Sequence, residues 1–423
     1  MKTTLSTLAN GVRVASCEMP HSESVAIGLW AGVGGRHEPE QLNGISHFIE
    51  HLLFKGTKKR SARRIMADIE GVGGEINAYT SEEHTCYYAI APAQHLRTVI
   101  SVLCDLYTDP KFAAADIELE RAVIAEEIQM VRDEPAQLVQ ELLNLHFWKN
   151  HALGRPLTGT LESIARFSRE DFLNYRALHY HASNTLITAA GKVRHEELLE
   201  RAEHLLGHLP KGKILAKQSP RIATGKIVIE KKDLLQTNIA LALPTENFHS
   251  SRRYALAILN TILGGNGSSR LFQELRERRG ICYSVSSHAL LLSDCGMLNI
   301  SLGLDLKNLL RSLEMIRRQF QELKERPVGM PEFRRAQEYL IGTSLMNLER
   351  TSSRNSALGS SILSYGKIID PLEVHAKVRS VTPQEVLELA NKLLDPKKIT
   401  LAAVGPVSDA SILTNWKSES VRP

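Results

Sequence analysis

The chain has 423 residues, of which 43% are hydrophobic and 23% are charged. The length predicts two to four domains, and these proportions are typical of a globular protein, so they exclude a disordered chain, a collagen-like chain and a small disulfide scaffold. The net charge of +5 is small for this length, and no block of lysine and arginine with interleaved aromatic residues occurs. The sequence therefore does not predict nucleic-acid binding.

The cysteines are few, scattered and without a CxxC pair: Cys17, Cys86, Cys104, Cys282 and Cys295. Such sparse use is typical of a reducing compartment. The first twenty residues contain no apolar run of signal-peptide length, and no apolar stretch is long enough to span a membrane. We therefore expect a cytoplasmic location, with the mitochondrial matrix as the alternative, and no membrane span.

The first strong helix signal is the segment GISHFIEHLLFKGT. Asn43 is expected to cap this helix and Gly56 to end it. His47, Glu50 and His51 are spaced so that they share one helical face. Two imidazoles one turn apart can bind one Zn²⁺ ion, and a carboxylate beside them can act as a base. The order H-x-x-E-H is that of the inverzincins, so this segment predicts a zinc site.

A catalytic zinc site needs a third protein ligand. The segment ELERAVIAEEIQMVRDEP, residues 118–135, has helical spacing and several carboxylates. Glu120 and Glu127 lie two turns apart on one face of this helix. Helix geometry alone leaves Glu120, Glu126 and Glu127 open as the third ligand, and a solvated acidic stripe is the alternative interpretation.

An internal repeat appears further along the chain. SREDFLNYRALHYHASNTLITAAG, residues 168–191, matches TPQEVLELANKLLDPKKITLAAVG, residues 382–405. Each copy begins with a capping Ser or Thr, continues as a helix and ends as an apolar strand before Gly. The strand-like segments 24–32 and 237–244 form a second matching pair. Two copies of one domain are therefore predicted.

The predicted architecture is an α+β fold of two homologous domains, each a mixed β-sheet with helices packed on one face. We place an N-terminal zinc-binding domain at 1–210, a linker at 211–225 and a homologous C-terminal domain at 226–423. The second copy has no HxxEH motif, and an approximate alignment sets three apolar residues against the motif: Ala255, Ile258 and Leu259. Only the first copy is expected to bind metal.

The HFIEH motif, the ERAVIAEE segment and the paired halves together resemble the pitrilysin/insulinase family of zinc peptidases, especially its members of the catalytic mitochondrial processing peptidase type. The resemblance covers essentially the whole chain. It implies Zn²⁺ as the cofactor and Glu127 as the third ligand, because of its spacing from the second histidine. It also implies that Glu120 is a supporting carboxylate and that Glu126 is a neighbour.

Two further segments resemble parts of this family. GGEINAYTSEEHTCYYA, residues 73–89, is similar to the strand that receives the substrate backbone, with Asn77 and Ala78 at the matching positions; an ordinary edge strand is the alternative. RLFQELRERRGICYSV, residues 270–285, is similar to an Arg/Tyr element that serves the active site. The matching residues are Arg276 and Tyr283, with three nearby alternatives: Arg270, Arg278 and Arg279.

The resemblance implies a zinc endopeptidase that hydrolyses extended peptides in a chamber between two domains. Glu50 would act as the general base, while Arg276 and Tyr283 would stabilise the developing oxyanion. The implied partners are peptide substrates and a second chain, in a homodimer or in a heterodimer with a related chain. Two other functions stay open: a noncatalytic assembly subunit on the same fold, and a metal-dependent hydrolase of a non-peptide substrate.

Overall fold

The computed structural model describes residues 1–407 together with Leu413 and Trp416. The chain divides into two compact units. Unit 1 comprises Met1–Gln129, Arg155–Gln218 and Leu345–Ile369. Unit 2 comprises Met130–Gly154, Ser219–Ser344 and the described residues from Asp370 onward. In the described part of the chain, no helix combines the length and the apolar composition needed to cross a membrane.

The strands follow the chain as β1 (Lys2–Thr7), β2 (Arg13–Glu18), β3 (Ser24–Ala31), β4 (Glu75–Thr80), β5 (Thr85–Pro92), β6 (Thr185–Gly191), β7 (Ile227–Lys231), β8 (Thr237–Pro244), β9 (Cys282–Leu291), β10 (Gly296–Leu304) and β11 (Thr400–Gly405).

The helices of the first half of the chain are α1 (Ile45–Leu53), α2 (Ala62–Glu70), α3 (Leu96–Thr108), α4 (Ala114–Asp133), α5 (Pro135–Phe147), α6 (Leu161–Arg166), α7 (Arg169–His179) and α8 (His195–Leu206). Those of the second half are α9 (Arg253–Leu263), α10 (Leu309–Glu325), α11 (Met330–Asn347), α12 (Thr351–Tyr365), α13 (Pro371–Ser380) and α14 (Pro383–Leu393).

Each unit contains one mixed sheet. In unit 1 the strand order is β1-β2-β6-β3-β5-β4, and only β2 and β6 run parallel. In the described part of unit 2 the order is β7-β11-β8-β10-β9, and only β7 and β11 run parallel there. The two sheets therefore share one topology, to which unit 1 adds the edge strand β1.

The main core of unit 1 lies between one face of its sheet and its helices. Alternate residues of β3, among them Ile27 and Leu29, point into this core and are completely buried. Trp30 points to the opposite face, where it packs with Leu358 and Ile362 of α12. The predicted α+β class with helices on a mixed sheet is confirmed, and α12 adds a helix on the second face that was not predicted.

Close approach of α12 to the sheet depends on a glycine. A Cβ atom at Gly359 would lie 2.2 Å from the Trp30 ring, which is far inside van der Waals contact. The Trp30 indole N–H donates a 2.8 Å hydrogen bond to the Thr188 hydroxyl, which satisfies its only polar group. The second face is therefore a packed core.

Unit 2 repeats this arrangement. Its main core holds Ile239 and Leu241 of β8 with helices α9, α10, α11, α13 and α14. On the other face of the sheet, Leu143 and Phe147 of α5 pack against small residues of the strands. Each sheet is therefore covered on both faces.

The predicted repeat is confirmed in detail. Ser168 and Thr382 each cap a helix with a capping box, and each helix is followed by a central strand. Those strands, β6 and β11, end at Gly191 and Gly405, whose φ angles of 133° and 150° favour glycine. Shared local chemistry thus produces the same helix–strand unit twice.

The two units are not separated by a single boundary at the predicted linker, because each unit combines several segments of the chain. Helix α5 comes from the predicted domain 1–210 but belongs to unit 2, whereas α12 comes from the predicted domain 226–423 but belongs to unit 1. The physical reason is that each sheet needs a helix on its second face. Residues 211–225 contain no helix or strand. The predicted second domain extends beyond the described residues at its end.

Candidate active site

Helix α1 carries the HxxEH motif and is fixed by its buried face and its first turn. The prediction that Asn43 caps it is wrong, because the N-cap position is Gly44, at a φ angle of 92°. The carboxylate of Glu38 takes the capping role, since it accepts hydrogen bonds from the backbone N–H groups of Gly44 (2.7 Å) and Ser46 (2.9 Å). Asn43 instead donates to Glu38 through its side chain.

Three side chains from α1 and α4 converge on one point. The Nε2 atoms of His47 and His51 lie 3.7 and 3.6 Å from the same carboxylate oxygen of Glu127. The ligand atoms of these three residues all lie within 4.8 Å of one another. Two ligands bound at about 2.1 Å in a tetrahedron are about 3.4 Å apart, so these separations suit a shared metal ion.

Burial favours the neutral form of one histidine in the cluster. Burial, with a smaller effect of His51, lowers the pKa of His47 to about 4, so that its imidazole is neutral at pH 7. Neutral imidazole is the form that binds metal. The Nδ1 atom of His47 is buried and has no hydrogen-bond partner among the described residues.

The second imidazole is oriented by a chain of charged groups. The Nδ1–H of His51 donates to the buried Glu120 carboxylate at 2.8 Å, which leaves the lone pair of Nε2 facing Glu127. The other Glu120 oxygen lies 2.5 Å from the ammonium group of Lys55. Lys55 was not predicted, although its spacing of one helical turn beyond His51 could have indicated it.

The structure places the three candidate glutamates of α4 in different surroundings. Glu127 lies in the cluster, Glu120 binds the outer nitrogen of His51, and Glu126 is exposed and outside the cluster. Their side chains differ because successive helical residues point about 100° apart.

Glu50 lies beside the cluster with one oxygen already engaged. The Thr80 hydroxyl of β4 donates to Glu50 Oε2 at 2.6 Å. Burial raises the pKa of the Glu50 carboxyl, as does the nearby Glu127, whereas Thr80 and His51 lower it. A carboxylate with a raised pKa is better suited to accept a proton than an exposed one. Thr80 was not predicted.

The predicted substrate strand lies at an edge of its sheet. Strand β4 carries Asn77 and Ala78, and β5 is its only partner among the described strands. At the hairpin end, the Ser81 N–H donates to the His84 carbonyl oxygen. Hydrogen-bonded and non-hydrogen-bonded residue pairs alternate along an antiparallel ladder, so the backbone N–H and C=O groups of Ala78 and Thr80 point away from β5. The Asn77 side chain accepts the Ala78 N–H at 2.8 Å.

In unit 2, Arg276 and Tyr283 are neighbours. Arg276 lies on the short π-helix Phe272–Glu277, and its guanidinium carbon is 5.6 Å from the centre of the Tyr283 ring. Arg276 has no ion pair among the described residues. The three alternative arginines all contact carboxylates: Arg270 binds Glu332, while Arg278 and Arg279 bind Glu274.

Comparison with known sequences identifies the family. The model of the family "Insulinase (Peptidase family M16)" matches residues 13–161, and that of the "Peptidase M16 inactive domain" matches 166–340. An uncharacterized zinc protease of Streptomyces coelicolor is 34% identical over 411 residues, covering 95% of this chain and 89% of the relative. The chain belongs to the insulinase family, peptidase family M16.

Further relatives support this membership. The uncharacterized zinc protease YmxG of Bacillus subtilis is 35% identical over 400 residues, covering 95% of the M16 chain and 97% of the relative. A protease from Helicobacter pylori superposes with a TM-score of 0.89 at 21% identity, with 96% of this chain and 99% of that chain covered. A Pseudomonas fluorescens structure described as a peptidase M16 inactive domain gives 0.90 at 19% identity, with 96% and 98% covered. These two structures share the fold of this chain.

Proposed function

We propose that this chain is a zinc endopeptidase that hydrolyses extended peptides or unstructured protein segments, of the type of the catalytic mitochondrial processing peptidase subunit. Presequence processing and oligopeptide degradation are its two proposed uses. The observation that carries the proposal is the convergence of His47, His51 and Glu127 on one point, with Glu50 beside it. Membership of the insulinase family and the names of the zinc protease relatives support zinc as the metal.

The donor set fits zinc because two imidazole nitrogens and one carboxylate leave a fourth position open, as in catalytic sites. His47, His51 and Glu127 would hold the ion. Bound there, Zn²⁺ supplies Lewis-acid chemistry, which polarises a carbonyl and lowers the pKa of water. Glu120 and Lys55 keep His51 in the tautomer that offers Nε2.

Glu50 is proposed as the general base. Its Oε2 is held by Thr80, so Oε1 stays free to accept a proton from the attacking water. The same carboxyl group can then pass the proton to the leaving amine. The hydroxyl of Thr80 fixes the orientation of the carboxylate while this proton is moved.

Strand β4 is proposed to bind the peptide backbone. The outward backbone groups around Ala78 can pair with an extended peptide, largely independent of its sequence. Asn77 would have to release the Ala78 N–H for this pairing. Arg276 and Tyr283 are proposed to bind the substrate carbonyl and stabilise the oxyanion, which rests on the family resemblance and on their mutual packing.

Assembly as a homodimer, or with a related chain, belongs to the same proposal. Location in the cytoplasm stays a prediction from the cysteine pattern.

The substitution Glu50→Gln tests the proposed function. It removes the base but no proposed ligand, so the variant should retain zinc while kcat for a quenched fluorescent peptide falls by about 10²–10⁴-fold. Zinc content is measured by mass spectrometry on the same preparation.

The matched control is Glu126→Gln, which changes an exposed neighbour of Glu127 and should retain full activity. A Glu50→Gln variant with wild-type activity would exclude Glu50 as the base. A wild-type chain that holds zinc but cleaves no peptide would favour a non-peptide substrate, and one without either property would favour an assembly subunit.

A further inference from the structure

A buried carboxylate lies at the first turn of α1. Glu38 is only 3% exposed, and it forms no ion pair with any described residue. Its two oxygens accept hydrogen bonds from the backbone N–H groups of Gly44 and Ser46, and a third bond of 3.3 Å from the Asn43 side chain. Most helices are capped by a short polar side chain, whereas a buried charge is costly to desolvate. The charge of Glu38 therefore needs a reason beyond the hydrogen bonds of a cap.

The backbone excludes a capping side chain at residue 44 itself. Gly44 has a φ angle of 92°, and a Cβ atom there would lie 2.6 Å from the Cα atom of Gly159. The cap must come from another part of the chain, and Glu38 supplies it. A glutamate in this role brings a full negative charge to the start of α1, which a serine or asparagine cap would not.

The groups around Glu38 favour its ionised form. The three hydrogen bonds to its oxygens all come from N–H donors, for which a carboxylate is the matching acceptor. Burial raises the pKa of the Glu38 carboxyl, whereas the hydrogen bonds from Gly44 and Ser46 lower it. The guanidinium of Arg155 also lies near, because it donates to the backbone oxygen of Glu38.

The proposed metal centre lies close to the same end of the helix. His47 is the third residue of α1, so its imidazole belongs to the first turn. The N-terminus of a helix carries about half a positive charge, which repels a cation within that turn. A carboxylate at this position opposes the repulsion.

We propose that the negative charge of Glu38 offsets the positive end of α1 and thereby raises the affinity of the adjacent metal centre for divalent cations. Glu38 is a positioning residue, because it acts on the site through the first turn of the helix and is not itself a ligand. This inference rests on the proposed function, in which His47 binds the metal. It assigns Glu38 a role at the first histidine, whereas Glu120 and Lys55 act at the second.

Competition with a chelator, applied to the whole chain, measures the zinc affinity that tests the proposal. Glu38→Gln removes the charge and keeps the size of the side chain, so the dissociation constant should rise by about 5–30-fold. The matched control is Glu40→Gln, the same change of charge at an exposed position two residues away. Its affinity should stay within about twofold of the wild type, because exposed charges are screened by solvent. Equal affinities of the wild type and Glu38→Gln, or an equal loss in Glu40→Gln, would overturn the proposal.

The visible spectrum of the cobalt-loaded chain separates charge from geometry, because it reports how the ligands surround the ion. Glu38→Gln should leave this spectrum unchanged and should weaken Co²⁺ and Zn²⁺ binding by the same factor, since both ions carry the same charge. A changed spectrum would overturn the proposal, because it would show that the ligands themselves had moved.

Thermal unfolding of the metal-free variants shows whether they are folded. If Glu38→Gln is not, Glu38→Asp keeps the charge and should bind zinc within about threefold of the wild type; a larger loss would overturn the proposal. Zinc binding without peptide cleavage would contradict the peptidase function but not the role of Glu38. Wild-type affinity in a folded Glu38→Gln variant would contradict the role of Glu38 alone.

Discussion

Helices α1 and α9 stand at matching positions of the two units, yet they carry opposite chemistry. Each packs against the edge strand of its sheet and against the helix of the repeated motif. On α1 the half-buried side of the helix presents two histidines and a glutamate, whereas the aligned residues of α9 are Ala255, Ile258 and Leu259, all buried in the core.

The difference shows that a matching backbone position is not sufficient for a metal site, because the surrounding side chains differ. His51 is tolerated on α1 because Glu120 accepts a hydrogen bond from its outer nitrogen and Lys55 pairs with Glu120. Position 259 lies among apolar side chains that offer no such partner. The imidazole of His51 therefore depends on the carboxylate that α4 supplies.

Exchange of one residue between the helices has the largest expected effect. His51→Leu gives α1 the α9 residue, so zinc should be lost and peptidase activity should fall by at least about 10³-fold. Metal content and peptide cleavage measure both changes. The reciprocal control, Leu259→His, should gain no zinc; a metal bound there would contradict the comparison.

Helix α12 can be compared with α11, the helix that precedes it in the chain. Gly359→Ala on α12 places a methyl group against the Trp30 ring and should lower the free energy of unfolding by about 1–3 kcal/mol. Urea unfolding measures this change. The control Gly342→Ala on α11 meets no atom within 4 Å, so it should raise the free energy of unfolding by about 0.5–1 kcal/mol. Equal effects would show that α12 does not pack tightly in solution.

The contribution of Lys55 to the proposed metal centre can be tested through its ion pair with Glu120. Lys55→Met leaves one oxygen of the buried Glu120 unpaired, so we expect zinc affinity to fall by about 10–100-fold. Competition with a chelator measures that affinity without reference to activity. Lys55→Arg should restore most of it, and no difference between Met and Arg would exclude the ion pair as the cause.

A further expected effect is an acid-dependent loss of stability within unit 1. Burial is the main cause that lowers the pKa values of His37, His84 and His179 to about 4. In the unfolded chain these groups bind a proton near pH 6.5, so the stability they confer is complete above that pH and is lost as pH falls toward 4.

Each of these histidines contributes up to about 1.4 kcal/mol per pH unit in that window. Urea unfolding at pH 7 and pH 5 measures the slope. His84→Gln should reduce it, because one titrating group is removed; a slope unchanged by this variant would show that His84 is not protonated on unfolding.

Local patterns made much of the fold predictable. The HxxEH helix, the repeat and the glycines that end β6 and β11 depend on neighbours in sequence, and the structure contains each of them. The capping of α1 was mispredicted because the capping carboxylate, Glu38, comes from a preceding loop.

Longer-range features could not be predicted from spacing. The placement of α5 and α12 on the second faces of the sheets depends on packing between distant segments, which periodicity does not encode. Thr80 reaches Glu50 across thirty residues, and nothing in its strand distinguishes it from other threonines. The choice of Glu127 over Glu126 likewise needed the family resemblance or the coordinates.

The most direct test of the proposed metal centre is anomalous diffraction at the zinc edge from crystals of the zinc-loaded chain. We predict a single peak bound by Nε2 of His47, Nε2 of His51 and a carboxylate oxygen of Glu127, each at about 2.0–2.2 Å. A zinc peak that lacks any one of these three ligands, or no peak between α1 and α4, would contradict the proposed metal centre.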